Sequence, residues 1–171
     1  MLLSDPRPGL SLSLDRRTGS ACRRLFTMTE RTTQSPVLLV VEDHGVVRTA
    51  VRNWLSGELP DWTITEATSG DEGVSVAQEQ CPHVILMDVG LPGISGIEAT
   101  RCIKHAHPEI GILVWTLGSN GEKRRAAMDA GADAFLSKDT HPEEVVRVLK
   151  ELMDQALQQM KVCASPTAPE G

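Results

Sequence analysis

The chain is 171 residues long, 40 % hydrophobic and 23 % charged, with a formal net charge of −6; that is the make-up of one soluble globular domain with tails. No apolar run approaches the roughly 18 residues that a bilayer-spanning helix needs, and the first residues lack the basic start and apolar core of a secretory signal. Four widely spaced cysteines (Cys22, Cys81, Cys102, Cys163) form no Cys-x-x-Cys pair, which disfavours structural zinc and points to a reduced, cytoplasmic setting.

Charge is unevenly placed. Residues 1–31 hold six arginines against Asp5, Asp15 and Glu30, whereas the remainder carries a net −9. An acidic body argues against sequence-independent nucleic-acid binding, which needs cations to displace counterions. Residues 1–34 are rich in Ser, Thr, Arg and Pro without sustained periodicity, so a disordered leader is expected. Met28 opens Met-Thr-Glu-Arg and is an alternative start of the protein.

From Pro36 the pattern changes. Val37–Val41 is an uninterrupted apolar run, read as a strand buried on both faces, and it ends in Glu42 and Asp43. Residues 45–57 place Val46, Val47, Val51, Trp54 and Leu55 on one helical face, with Gly57 as the stop. Trp62 to Ala67 alternates as a strand, and residues 70–80 form a helix closed by Cys81-Pro82. Val84–Met87 is a second fully apolar run, ending in Asp88 and followed by the turn formers Gly90, Leu91, Pro92 and Gly93. A helix over 96–106 stops before Pro108, and Ile110 to Trp115 is a buried strand ending in Thr116. Residues 121–130 are an alanine-rich helix with Gly131 as its C-cap, and Ala134–Leu136 is a short strand running into Ser137 and Lys138. Thr140 with Glu143 predicts a capping box for the last helix, whose stripe is Val145, Val146, Leu149, Leu152 and Met153, extending to Met160.

Five strands alternate strictly with five helices, which predicts a parallel sheet with helices on both faces. Right-handed crossovers leave few topologies, and the expectation is the flavodoxin-like, doubly wound (βα)5 sandwich of strand order 2-1-3-4-5. The folded body is placed at 35–160 and a flexible tail at 161–171.

Polar residues stand at the carboxyl ends of four strands: Glu42 and Asp43, Asp88, Thr116 and Lys138. Parallel strands bring these ends to one edge, where such folds bind ligands. Each residue alone has an ordinary use as a cap, turn former or surface group; their convergence is what carries chemistry. Three neighbouring carboxylates repel one another unless a cation intervenes. Oxygen ligands in small number suit Mg²⁺, which keeps waters and favours phosphate-bearing substrates. A carboxylate nucleophile with a divalent ion, an ammonium and a hydroxyl describes phosphoryl transfer.

The pieces Val40-Val41-Glu42-Asp43, Val84–Asp88, Leu91-Pro92-Gly93, Trp115-Thr116 and Gly131–Lys138 resemble the receiver domain of bacterial two-component response regulators, over about residues 36–158. The resemblance implies that Asp88 accepts a phosphoryl group from a sensor histidine kinase or histidine phosphotransfer protein. It implies Mg²⁺ held by Asp43, Asp88 and the Gly90 carbonyl, with Glu42 helping directly or through water. By the same resemblance Thr116 and Lys138 contact the phosphoryl oxygens. The resemblance further implies that Phe135 couples to Thr116 and that their movement remodels the surface of the fourth helix, fifth strand and fifth helix, a route to a homodimer.

Departures from the family pattern are specific. Leu117 is larger than the usual small residue and would narrow access to Asp88; Gly118 cannot steer an attacking water; Asp139 replaces a common proline; Phe135 replaces tyrosine. Asp139 and Ser137 resemble receivers of regulators with helix-turn-helix outputs. The five histidines (His44, His83, His105, His107, His141) form no ligand-spaced set, although His44 adjoins the acidic pair. Lys123-Arg124-Arg125 reads as a solvated helix face, and Trp115 as core.

The expectation is a stand-alone phosphorylation switch, not a metabolic enzyme, with output through a downstream protein and neither direct DNA binding nor membrane contact. Two alternatives stand beside it: a pseudo-receiver that binds partners without phosphorylation, and an Mg²⁺-dependent aspartyl phosphatase or phosphotransferase. The second lacks the Asp-x-Asp motif usual after the first strand. A nucleotide-binding module finds no Gly-rich loop there either.

Overall fold

The computed structural model describes residues 35–118 and 121–163. The expected leader lies outside them, as do residues 164–171 of the tail. Ten elements alternate: β1 (Val37–Val41), α1 (Gly45–Glu58), β2 (Thr63–Ala67), α2 (Gly70–Gln80), β3 (Val84–Met87), α3 (Gly96–Ala106), β4 (Gly111–Thr116), α4 (Gly121–Asp129), β5 (Ala134–Ser137) and α5 (Pro142–Cys163). The strands make one parallel sheet of order β2-β1-β3-β4-β5, as the alternation predicted.

The sheet separates two cores, because successive strand residues point to opposite faces. Leu39, Val41, Ile85, Met87, Ile112, Val114 and Phe135 pack on the α2–α3–α4 side. Leu38, Val40, Val84, Leu86 and Leu113 pack with Val51 and Leu55 of α1 and with Val145, Leu149, Leu152 and Met153 of α5. Side chains this size contribute about 2 kcal/mol each when buried, so the central strands β1, β3 and β4 hold the body together.

Local chemistry ends the helices. Ser69 accepts from the Glu72 amide at 3.1 Å, and Glu72 Oε2 accepts from the Thr68 amide at 2.7 Å, a reciprocal cap at the start of α2. Cys81 closes α2 in the left-handed region, at φ 46°. After α4, Gly131 takes φ 98°, the conformation its C-cap role requires.

Four expectations change. Val46 and Val47 are 86 % and 36 % exposed, so only Val51 and Leu55 of the expected α1 stripe are buried, with Trp54 half-buried. A short apolar pair at a helix start fits the 3.6 period by chance when the first turn overhangs the sheet edge. Gly57 lies within α1, and the cap is Leu59, whose amide bonds the Leu55 carbonyl at 2.8 Å. α5 begins at Pro142, placing proline at the first helical position in place of the Thr140–Glu143 box. It runs to Cys163, so residues 161–163 belong to the helix and not to a tail.

Candidate functional site

Sheet register builds the site. Val41 pairs with Met87, and the Asp88 amide donates to the Val41 carbonyl at 3.0 Å, so the residues that follow β1 and β3 emerge side by side. Thr116 pairs with Ser137, and the Lys138 amide donates to the Thr116 carbonyl at 2.9 Å. The carboxyl edge therefore collects Glu42, Asp43, Asp88, Thr116 and Lys138, as the strand order demands.

These groups are unusually buried for their polarity. Glu42 is 3 % exposed, Asp88 8 % and Thr116 4 %. The Lys138 ammonium lies 2.5 Å from Glu42 Oε2 and 3.3 Å from Asp88 Oδ1, one cation shared by two carboxylates. Asp88 Oδ2 accepts from the Gly90 amide at 3.2 Å, whereas Oδ1 is buried without a hydrogen bond. With the Lys138 ammonium at 3.3 Å as its partner, Oδ1 keeps lone-pair capacity that a ligand can use. The half-buried Asp43 adds a third carboxylate next to Glu42, while Glu42 and Asp88 share the one ammonium. That donor set fits a hard divalent cation such as Mg²⁺, held by Glu42, Asp43 and Asp88 with help from the Gly90 backbone.

The loop carrying Gly90 is fixed at both ends. Gly96 sits where an added Cβ would fall 1.7 Å from the Asp88 carbonyl oxygen, so only glycine lets α3 begin this close to the end of β3. On the other side Asp71 Oδ2 of α2 accepts from the Ile94 amide at 3.2 Å.

Two participants went unread or under-read in the sequence. Arg48, one turn into α1, donates from Nη1 to the Glu42 and Asp43 carbonyls at 2.8 and 3.3 Å, and its Nε lies 3.6 Å from Glu66. It braces the turn that presents the acids; the available signal was an arginine about one turn after the pair. His44 Nδ1 lies 2.9 Å from Asp43 Oδ1 and 3.6 Å from Glu42 Oε1. His44 thus stands beside the acidic pair, with one ligand atom each from Glu42, Asp43 and His44 within 4.8 Å of one another.

The remaining expectations find places. Phe135 is buried, in register with Val114 and two residues of β4 from Thr116. Trp115 is half-buried, donates from Nε1 to the Ser137 carbonyl at 3.1 Å and lies 6.3 Å from Trp54 between ring centroids. Lys138 Nζ stands 5.7 Å from the Trp115 ring centroid, a cation–π distance that steadies the ammonium from outside the acids. Leu117 is 63 % exposed and belongs to neither core. Arg124 and Arg125 are exposed on α4, as expected of a solvated face.

A parallel five-stranded sandwich with buried acids, a lysine and a threonine on its carboxyl edge defines a class, and sequence comparison agrees. Residues 38–150 match the model of the response regulator receiver domain. The chain belongs to that family, and so to the phosphorylation-dependent signalling modules of two-component systems. It is 34 % identical over 116 residues to the transcriptional activator protein ExaE of Pseudomonas putida, covering 68 % of this chain and 54 % of that one. Identity to the response regulator GacA of Pseudomonas aeruginosa is 34 % over 115 residues, 67 % of this chain and 54 % of that one. A LuxR-family two-component response regulator from Aurantimonas superposes with a TM-score of 0.66 at 26 % identity, over 75 % of this chain and 99 % of that one. The chain spans about half the length of the curated relatives it matches. No helix among the described residues is long and apolar enough to cross a membrane.

Proposed function

We propose that the chain is a cytoplasmic, phosphorylation-activated switch whose acceptor is Asp88. The observation that carries this reading is the buried Asp88 Oδ1, lacking a hydrogen bond and 3.3 Å from Lys138. In the transfer, a carboxylate oxygen of Asp88 attacks phosphorus, the O–P bond forms, and the N–P bond to the partner's histidine breaks with the imidazole as leaving group. Glu42, Asp43, Asp88 and the Gly90 carbonyl would hold Mg²⁺, whose charge would offset that of the phosphoryl oxygens. Lys138 then exchanges a carboxylate partner for a phosphoryl oxygen, and the Thr116 hydroxyl donates to another. Drawing Thr116 inward frees space that Phe135 takes up, which alters the α4–β5–α5 surface and its partner or self-association. The chain catalyses only its own phosphorylation and dephosphorylation.

Output through a downstream protein remains the favoured mode. A second reading, control of a transcription-regulating output, is favoured by the likeness to ExaE, a transcriptional activator. Gel-shift of random and promoter DNA with the full chain, with and without phosphorylation, separates the two.

The reading is tested by intact mass after incubation with acetyl phosphate, with and without Mg²⁺, beside Asp88→Asn. One Mg²⁺-dependent phosphoryl adduct, absent from the variant, is expected. An adduct that survives Asp88→Asn moves the acceptor elsewhere. A folded protein that binds Mg²⁺ and takes no phosphoryl group is a constitutive binder.

A further inference from the structure

We propose that Trp115 is the positioning residue for Lys138: its indole face holds the ammonium in reach of a phosphoryl group on Asp88, and Trp54 of α1 keeps the ring in place. The inference deepens the reading above and rests on it for phosphoryl transfer to Asp88. It starts from the alternation of β4. Thr116 is buried at the carboxyl edge, whereas Trp115, one residue earlier, leaves the other face of the sheet and packs half-buried on the core shared by α1 and α5. Its ring lies 6.3 Å from that of Trp54 and is tilted by 39°, within the range in which aromatic pairs attract.

The same side chain meets Lys138 twice. Trp115 Nε1 donates to the Ser137 carbonyl at 3.1 Å, and the Lys138 amide donates to the Thr116 carbonyl at 2.9 Å. The peptide group between Ser137 and Lys138 is thereby tied at both its polar atoms to consecutive residues of β4. With that backbone fixed, the ammonium moves only through its own four-carbon stem, the flexible part of a lysine. The ring stands against this motion, with Lys138 Nζ 5.7 Å from its centroid. Only 11 % of the Lys138 side chain is exposed, so the attraction between ring and cation acts with little water to screen it.

Transfer to Asp88 needs this restraint because Lys138 has competing partners. Glu42 Oε2 lies at 2.5 Å and Asp88 Oδ1 at 3.3 Å, so charge alone draws the ammonium toward Glu42. Once Asp88 carries phosphoryl oxygens, Lys138 has to leave one carboxylate and still keep its place. An aromatic face attracts the cation without occupying its N–H donors, so the contact lasts while the acceptors change. Placing the charge beforehand lowers the entropy cost of the step. It leaves metal affinity alone, because the ring face offers the ion no ligand atom.

The test compares wild type, Trp115→Phe and Trp115→Leu in the full chain. It reads the rate of acetyl phosphate labelling at saturating Mg²⁺, Mg²⁺ affinity by calorimetry, and the NMR position of the Lys138 ε-methylene protons. We expect labelling to slow about tenfold in Trp115→Leu, the size of a desolvated cation–π contact. Phenylalanine keeps a ring, and the Ser137 carbonyl keeps its bond from the Thr140 amide at 2.9 Å, so Trp115→Phe stays within about threefold of wild type. Mg²⁺ affinity holds within about twofold in both, since the ion prefers oxygen ligands. The ring shifts the ε-methylene signal upfield in wild type and Trp115→Phe, and the signal returns to the ordinary lysine position in Trp115→Leu. Equal labelling of wild type and Trp115→Leu overturns the proposal, as does a parallel fall in Mg²⁺ affinity, which would make Trp115 a general brace of the edge. The wild-type signal needs no variant to fold, and an unshifted ε-methylene there overturns the proposal by itself. A wild-type chain that takes no phosphoryl group strikes the earlier reading, and the transfer role of Trp115 falls with it.

Discussion

At the amino edge of the sheet, Lys104 Nζ binds the Pro108 and Ile110 carbonyls at 3.1 and 2.7 Å and Asp133 Oδ2 at 2.7 Å. Asp133 Oδ2 in turn accepts from the Ile112 amide at 2.8 Å, and His83 Nδ1 accepts from the Val37 amide at 3.1 Å. At the carboxyl edge the same kinds of group are arranged otherwise: two buried carboxylates share one ammonium, and Asp88 Oδ1 has no hydrogen bond. One edge closes its polar accounts internally, and the other keeps an unmet demand for positive charge. That difference separates a brace from a site, since satisfied buried networks rigidify while unsatisfied groups persist where a ligand completes them.

Substitutions at the two edges should therefore diverge, and the largest divergence is functional. Asp88→Asn should abolish phosphoryl uptake yet leave the fold intact, even gaining about 0.5–1 kcal/mol as like-charge repulsion with Glu42 is relieved; acetyl phosphate labelling and urea unfolding read the two effects side by side. Lys138→Met should cost about 3 kcal/mol by stranding two buried carboxylates, and saturating Mg²⁺ should restore part of it. Denaturation curves showing no Mg²⁺ dependence in that variant would erase the contrast between the edges. Lys104→Met should cost about 1–3 kcal/mol through two carbonyls and a carboxylate left unpaired; there Mg²⁺ should recover nothing, and labelling of Asp88 should proceed as in wild type.

The smallest effect concerns the α2 cap. Glu72 is held below its ordinary value of 4.5, first by the Thr68 hydroxyl hydrogen bond and then by the Thr68 amide. A lowered carboxylate stabilises the fold above its unfolded pKa, and that contribution fades as pH falls through the lower folded value. Thr68→Val should flatten this acid dependence below pH 4.5 by about 0.3 kcal/mol or less, because the carboxylate is well exposed to screening water. A pH titration of stability for the two proteins measures it.

Much of this molecule was legible as sequence because the relevant signals are local. Unbroken apolar runs such as Val37–Val41 and Val84–Met87 can only be strands covered on both faces, and each ends at the acid its burial cannot absorb. Strict alternation of strands and helices, with handed crossovers, then fixes β2-β1-β3-β4-β5 and with it the convergence of Glu42, Asp43, Asp88, Thr116 and Lys138. Other features depend on where a turn of helix ends up relative to the sheet. Val46 and Val47 fit the apolar period of α1 but overhang the edge, so they face water. Lys138 chose Glu42 as well as Asp88, Arg48 reached back to two carbonyls, and His44 turned onto Asp43. Periodicity and turn chemistry determined which residues reach the carboxyl edge. Which of them touch was decided by the close packing of neighbouring strands, since a charge buried at that edge takes whatever partner the fold brings within about 4 Å.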